Sequence, residues 1–361
     1  MSVYWNKRVK NITPYVPGEQ PRDRKFIKLN TNENPYPPSP AVIEAIKKTA
    51  GEPLRLYPDP ACTEMREAVA ETYGVTVNQV FTGNGSDEVL AFAFAAFFEG
   101  EPMLFPDVTY SFYPVYADLW DVPYKTVPLR DDFSIDPNDY LGASGGVIFP
   151  NPNAPTGMAL SLDEVRVVAQ AAERNRRVLV VDEAYIAFAD REGVVPALPL
   201  LKEFPNLLLV RTLSKEASLA GLRAGFALGS GELIEGLCRI RDCFNSYTMD
   251  RLALAGATAA IRDRAYYNEI NRRIIATRRR VTAGLESLGF RVLPSQANFL
   301  FAAPPVERGK SGRDFFTALR ERGILVRHFN KPRTADFLRI TMGTDDEMDV
   351  LLEECGKILN T

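Results

Sequence analysis

Histidine occurs once in the 361 residues, at His328. A single imidazole excludes every mechanism that needs two, including most zinc hydrolase sites, and no metal centre is expected. Cysteine is scarce too. Cys62, Cys238, Cys243 and Cys355 show neither metal-ligand spacing nor a paired framework, which suits a reducing compartment and an expected cytoplasmic location. Charge of one sign is not in excess: 43 Lys and Arg face 46 Asp and Glu, for a net charge of −3. That balance offers no footprint for nucleic acid. Long apolar runs are also missing. The longest, residues 89–98, falls far short of the roughly 20 residues needed to cross a bilayer, so no membrane span is expected and the run reads as a buried helix. The opening Met1-Ser-Val-Tyr-Trp-Asn-Lys-Arg8 lacks the apolar centre of a secretory signal. No internal repeat or low-complexity stretch interrupts the chain.

What is present is a globular composition, 46% hydrophobic and 25% charged, in a chain long enough for two domains. Residues 1–40 are rich in Pro, Asn and charge and end in Asn34-Pro-Tyr-Pro-Pro-Ser-Pro40. Such a segment favours an extended, turn-rich arm lying across something else. From about residue 41, short apolar runs alternate with helical patterns. Residues 79–82, 102–105, 146–149, 177–181 and 207–211 are predicted strands. Residues 86–98, 110–119 and 162–175 are predicted helices, the last opened by the capping box Ser161-Leu-Asp-Glu164. This alternation predicts an α/β domain over 41–245, with a mostly parallel sheet flanked by helices. Longer helices take over after about 231. Residues 246–361 are expected to form an interdomain helix and a smaller α+β domain, joined by the arm so that both chain ends contribute. Its predicted strands are 290–293, 298–301, 324–327 and 337–340, before a last helix capped by Thr344-Asp-Asp-Glu347.

In open α/β sheets, ligands bind beyond the carboxyl ends of the strands. After 79–82 comes Gly83-Asn-Gly-Ser86-Asp87-Glu88. It is not the dinucleotide fingerprint, because Glu88 stands where the third glycine belongs. Glycines leading into a helix amino terminus still make a phosphate cradle of backbone amides, although most such turns are only turns. After 177–181 comes Asp182-Glu-Ala-Tyr185. A carboxylate there is costly to bury without a positive partner, and a helix cap explains this segment equally well on its own. After 207–211 comes Thr212-Leu-Ser214-Lys215, with Arg223 eight residues on. Burial and a nearby cation would lower the pKa of such a lysine, as imine formation requires. Together the segments fit a phosphorylated aromatic aldehyde with a ring nitrogen. Gly85, Ser86 and Asp87 of the cradle, with Thr212, Ser214 and Arg223, would surround the phosphate. Lys215 would form the imine and Asp182 would pair with the protonated ring nitrogen. Tyr185 would donate to the ring hydroxyl and Tyr110 would stack on the ring.

Asn151-Pro-Asn-Ala-Pro-Thr-Gly157, Asp182-Glu-Ala-Tyr185 and Ser214-Lys215…Arg223 resemble the segments of fold-type-I pyridoxal 5′-phosphate-dependent transferases, specifically the aminotransferases. Within that group the chain is most similar to the histidinol-phosphate aminotransferase family, almost end to end. The likeness rests on Tyr15-Val-Pro-Gly18, Leu29-Asn-Thr-Asn-Glu-Asn-Pro35, Tyr57-Pro-Asp59, Gly83-Asn-Gly-Ser-Asp-Glu88 and Leu338-Arg-Ile-Thr-Met-Gly343. The resemblance implies a seven-stranded large-domain sheet and transfer of an amino group from histidinol phosphate to 2-oxoglutarate. It implies a homodimer with shared sites, in which Tyr57 reaches the cofactor phosphate of the other subunit. Arg339 would bind the carboxylate of the amino-acid partner or the phosphate of histidinol phosphate. Arg327 and Tyr15 would help with that phosphate, and Asn34 would belong with the substrate. One guanidinium fork suits both anions.

The chain departs from the family pattern twice. Ala154 stands where an Asn usually contacts the ring hydroxyl, leaving Asn153 or Tyr185 for that role. Glu216-Ala217 follows the lysine where small or aromatic residues are more usual, and Glu216 is expected to point outward. Several other features have ordinary readings. His328 reads as a bystander, Trp120 and the phenylalanines of 89–98 as core, and Arg278-Arg-Arg280 as the wet face of a long helix. Taken alone, Tyr57 reads as packing in a turn and Arg327 as a surface ion pair. Rival functions are a broad-specificity or aromatic aminotransferase, a phosphothreonine decarboxylase of the same fold, and a binding protein that keeps the cofactor without turnover.

Overall fold

A computed structural model describes residues 2–21, 23–305 and 309–360. Its centre is a seven-stranded sheet with the order Val80–Gly83, Gly225–Leu228, Leu207–Thr212, Leu179–Asp182, Val147–Pro150, Met103–Pro106, Tyr124–Val127. Only Gly225–Leu228 runs against its neighbours; the other adjacent pairs are parallel. The apolar runs that mark the inner strands are continuous because both sheet faces are covered. Ile148, Val180, Leu208 and Val210 enter one core with Val89, Phe94 and Tyr113. Their neighbours Val147, Phe149, Leu179, Val181, Leu207 and Leu209 enter the opposite core with Val69, Val168 and Ala257.

Crossover helices run over 86–97, 113–120 and 162–174, close to the predicted spans. Ser161 caps the last as the predicted box. Two sheet strands were not among those predicted, 124–127 and 225–228. The long helix Arg264–Ser287 leads to a second sheet of four strands, ordered Arg327–His328, Leu338–Thr341, Phe299–Ala303, Arg291–Val292. The strand predicted over 324–327 is in fact two. Ile324–Leu325 pairs in parallel with Ile27–Lys28, and Arg327–His328 pairs with the strand carrying Arg339. Both chain ends therefore build the smaller unit.

The arm holds one short helix, Lys7–Asn11, started by the Asn6 side chain, where only extended backbone was expected. Beyond it Tyr15 stacks on Phe112 with ring centroids 4.2 Å apart. The wet-face reading of Arg278 is overturned. It is buried and donates to the carbonyls of Phe188 and Ala297 at 2.8 and 2.7 Å and to Asp190 at 2.6 Å. A guanidinium has enough donors to satisfy three acceptors at once, and here it ties the long helix to two loops. Among the described residues, no helix is long and apolar enough to cross a membrane.

Candidate active site

The parallel strands end on one edge of the large sheet, and a cleft opens between that edge and the smaller unit. Its walls include Tyr15, Ser86, Asp87, Tyr110, Asp182, Tyr185, Thr212, Ser214, Lys215, Arg223, Arg327 and Arg339, which the sequence scatters over 325 positions.

One end brings together a helix amino terminus and a guanidinium, groups that suit an anion. Helix Ser86–Phe97 starts from Gly85, whose φ of 83° is a conformation only glycine adopts without strain. A methyl group there would also lie 2.7 Å from the Arg223 guanidinium. Behind the turn, strand Gly225–Leu228 approaches so closely that a Cβ on Gly225 would stand 2.5 Å from the Ser86 amide. Arg223 is held over this end by Asp87 at 3.0 Å, the Ala220 carbonyl at 3.1 Å and Ser214 at 3.4 Å. Thr212 accepts from the Ser214 amide at 3.1 Å.

At the floor lies Asp182, buried on all sides. It accepts from the Tyr113 hydroxyl at 3.2 Å and the Ala184 amide at 3.1 Å. No cation pairs with it among the described residues, and burial pushes its carboxyl up to about 7, against those hydrogen bonds. A buried carboxylate with donors in place and no counter-charge is suited to pair with a cationic group of a ligand, such as a protonated ring nitrogen. Tyr110 lines the cleft and donates to Asp87 at 2.8 Å.

Lys215 follows strand Leu207–Thr212. Burial first, and then the Arg339 guanidinium, bring its ammonium down to about 8, with Glu33 and Asp87 opposing. The amine therefore sheds its proton far more readily than a surface lysine. Nζ donates to the Thr31 carbonyl at 3.1 Å. Tyr185 accepts at its hydroxyl from Asn32 at 2.9 Å.

Arg339 donates to the Asn30 carbonyl at 2.9 Å, while its buried Nε has no partner. Arg327 touches the carbonyls of Val16 and Pro17 at 3.4 and 3.5 Å. Both guanidiniums keep donors for an anion in the cleft.

Three expectations change, those for Asn153, Asn34 and Glu216, while Tyr57, expected in the site of a neighbouring subunit, keeps its place outside the cleft of its own chain. Asn153 is not in the wall. It is fully buried, gives its amide hydrogens to Val108 and Thr156 at 2.9 and 3.1 Å, and accepts from Thr109 at 3.1 Å; Ala154 faces the cleft instead. Asn34 is not in the wall either, and its amide holds the Lys215 carbonyl at 3.0 Å. Tyr57 is 76% exposed, stacked on Tyr247, and does not line the cleft of its own chain. Glu216 points away from the cleft but inward, buried 3.3 Å from the equally buried Arg211. Asn32 and Tyr113 were missed. Asn32 sits in a motif already singled out, and its φ of 57°, which Asn tolerates, is set by folding. Tyr113 looks like any core tyrosine in a helix, and its partner lies 69 residues away.

Residues 24–354 match the family model for aminotransferase class I and II. The chain is 54% identical over 365 residues to histidinol-phosphate aminotransferase 1 of Bordetella parapertussis, covering all of both proteins. It is also 54% identical over 355 residues to the histidinol-phosphate aminotransferase of Chromohalobacter salexigens, covering 98% of each. Among solved structures, histidinol-phosphate aminotransferase from Sinorhizobium meliloti in complex with pyridoxal-5′-phosphate superposes with a TM-score of 0.89 at 26% identity, over 100% of this chain and 98% of that one.

Proposed function

Because the chain belongs to the class I and II aminotransferase family, we propose that it moves the amino group of histidinol phosphate to 2-oxoglutarate, with pyridoxal 5′-phosphate as cofactor. The observation that carries this reading is a readily deprotonated lysine and an uncompensated buried carboxylate in one cleft with three guanidiniums, Arg223, Arg327 and Arg339. One cation answers the cofactor phosphate. The other two answer a second anion, which fits a phosphorylated amine and a dicarboxylate taking turns. The full-length relatives carry the same activity in their names.

Bound pyridoxal 5′-phosphate supplies an aldehyde that takes up amino groups and a ring that draws electrons from the substrate carbon. The chain does the rest. Gly85, Ser86, Thr212, Ser214 and Arg223 hold the phosphate, and Asp87 holds Arg223. Asp182 keeps the ring nitrogen protonated, Tyr113 orients Asp182, and Tyr110 and Tyr185 fix the ring. Lys215 Nζ takes a proton as an amine and returns it as an ammonium. Arg339 receives the carboxylate or phosphate, with Arg327 and Tyr15 at its side. Tyr57 acts in the site of a second subunit, so the protein works as a homodimer.

The test is the ratio of kcat/KM for histidinol phosphate to that for phenylalanine, with 2-oxoglutarate as acceptor. A ratio well above one is expected. A preference for phenylalanine would hand the site to a broad-specificity aminotransferase, and release of carbon dioxide from phosphothreonine without glutamate formation would make it a decarboxylase.

A further inference from the structure

The short segment 31–34 touches Lys215 twice and is not needed for any anion. Its Thr31 carbonyl accepts from Lys215 Nζ at 3.1 Å, and its Asn34 amide donates to the Lys215 carbonyl at 3.0 Å. The lysine is thus gripped at the tip of its side chain and at its main chain. Between these contacts stands Glu33. One carboxylate oxygen is 2.7 Å from Lys28 Nζ and the other accepts from the Thr31 hydroxyl at 2.7 Å. Burial alone would raise the Glu33 carboxyl, but Lys28, Thr31 and Lys215 outweigh it and hold it ionised. The segment itself is fastened to the smaller unit. Leu29 exchanges backbone bonds with Leu325 and Thr341 at 2.8 and 2.9 Å, and the Asn32 amide donates to the Thr341 hydroxyl at 3.0 Å.

A lysine that first removes a proton and then returns it needs both protonation states within reach near neutral pH. Burial and the facing cations Arg339 and Arg223 act against the ammonium. The anionic groups that face it are Glu33 behind Thr31 and Asp87 at the start of helix Ser86–Phe97; Asp182, Tyr185, Tyr110 and Arg327 share the cleft. Asp87 is already tied to Arg223 at 3.0 Å, whereas Glu33 pairs with Lys28, which lies outside the cleft wall.

We propose that residues 31–34 form a dock for the free side chain of Lys215 between its proton transfers, and that Glu33 is a positioning residue that sustains the ammonium form there. The proposal rests on the reading of Lys215 as the reactive amine. The dock is anchored on the smaller unit, while Lys215 follows a strand of the large sheet.

The test uses the holoenzyme, treated with excess glutamate so that the cofactor is in its amine form and Lys215 is free. Acylation of Lys215 by an amine-directed reagent is followed against pH by peptide mass spectrometry in wild type, Glu33→Gln and Lys28→Met. Glu33→Gln keeps the shape and the Thr31 contact and removes the charge. Its labelling midpoint should move down by about half a unit or more, less than the roughly one to three units of a close unpaired charge because Lys28 partly neutralises Glu33. In that variant kcat should fall while KM holds. Lys28→Met removes the same surface ion pair but leaves the carboxylate, so its midpoint should stay or rise. A merely structural role for Glu33 would make the two variants alike. An unmoved or raised midpoint in Glu33→Gln, or equal downward shifts in both variants, would overturn the dock. Should wild type not reach the amine form with any donor, the aminotransferase reading fails instead, which is a separate result.

Discussion

The roles proposed for Asp182 and the two outer arginines are ones that single substitutions can resolve. In the cofactor-free protein, the Asp182 carboxyl titrates near 7 in place of 3.8, so the folded state holds its proton over a range where the unfolded chain has released it. The cost of ionising it in place is absent below pH 4, grows between 4 and 7, and is complete above. Asp182→Asn should therefore stabilise the cofactor-free protein at pH 8, by on the order of 2–4 kcal/mol, and leave stability unchanged at pH 4. Thermal melts at the two pH values check this, and kcat of the same variant should collapse. A cap role would give lost stability at both. Arg339→Ala should weaken both half-reactions, and Arg327→Ala mainly the one with histidinol phosphate. Each loss should be roughly 1.5–3 kcal/mol in transition-state binding, the scale of a charged hydrogen bond, read as kcat/KM for each substrate. That the lysine, Asp182 and Arg223 share one cleft was legible because this architecture gathers its strand ends on one edge of the sheet. Asn153 and Asn34 were misassigned because sequence gives adjacency and not direction. Both sit beside the cleft and spend their amides on neighbouring backbone.

Close approach between elements shapes the end of the cleft proposed to hold the phosphate. Gly225 lets an antiparallel strand run under the start of helix Ser86–Phe97, where a Cβ would meet backbone atoms 2.5–3.0 Å away. Gly225→Ala should push the helix start out of place and weaken cofactor retention on the order of tenfold or more, measured as the cofactor Kd. Unaltered retention with a lowered Tm would reduce the contact to packing. The inner strands were readable because burial on both faces makes them continuously apolar. Tyr124–Val127 was not, since its residues are mostly exposed at the sheet edge and carry little apolar signal. The split at Val326 was hidden for another reason. Ile324–Leu325 finds its partner at residues 27 and 28, a pairing across nearly the whole chain that no local pattern announces.

At the scale of the whole molecule, two exposed aromatic rings, Tyr57 and Tyr247, stack on each other with centroids 4.6 Å apart. Surfaces of this kind mark partner contacts, and a second copy of the chain would bring Tyr57 of the partner subunit to the phosphate end. Mixing the inactive variants Tyr57→Ala and Lys215→Ala should restore part of the activity, because hybrid dimers hold one site with both residues intact. No recovery after subunit exchange would remove Tyr57 from the site. The architecture and the family were within reach of the sequence, whereas the contacts that residues 31–34 make with Lys215 were not. The most direct measurement is a single turnover with histidinol phosphate carrying an isotope-labelled amino nitrogen and unlabelled 2-oxoglutarate. Wild type should deliver the label to glutamate and Lys215→Ala should deliver none; label in glutamate from Lys215→Ala, or none from wild type, would contradict an amino transfer centred on Lys215.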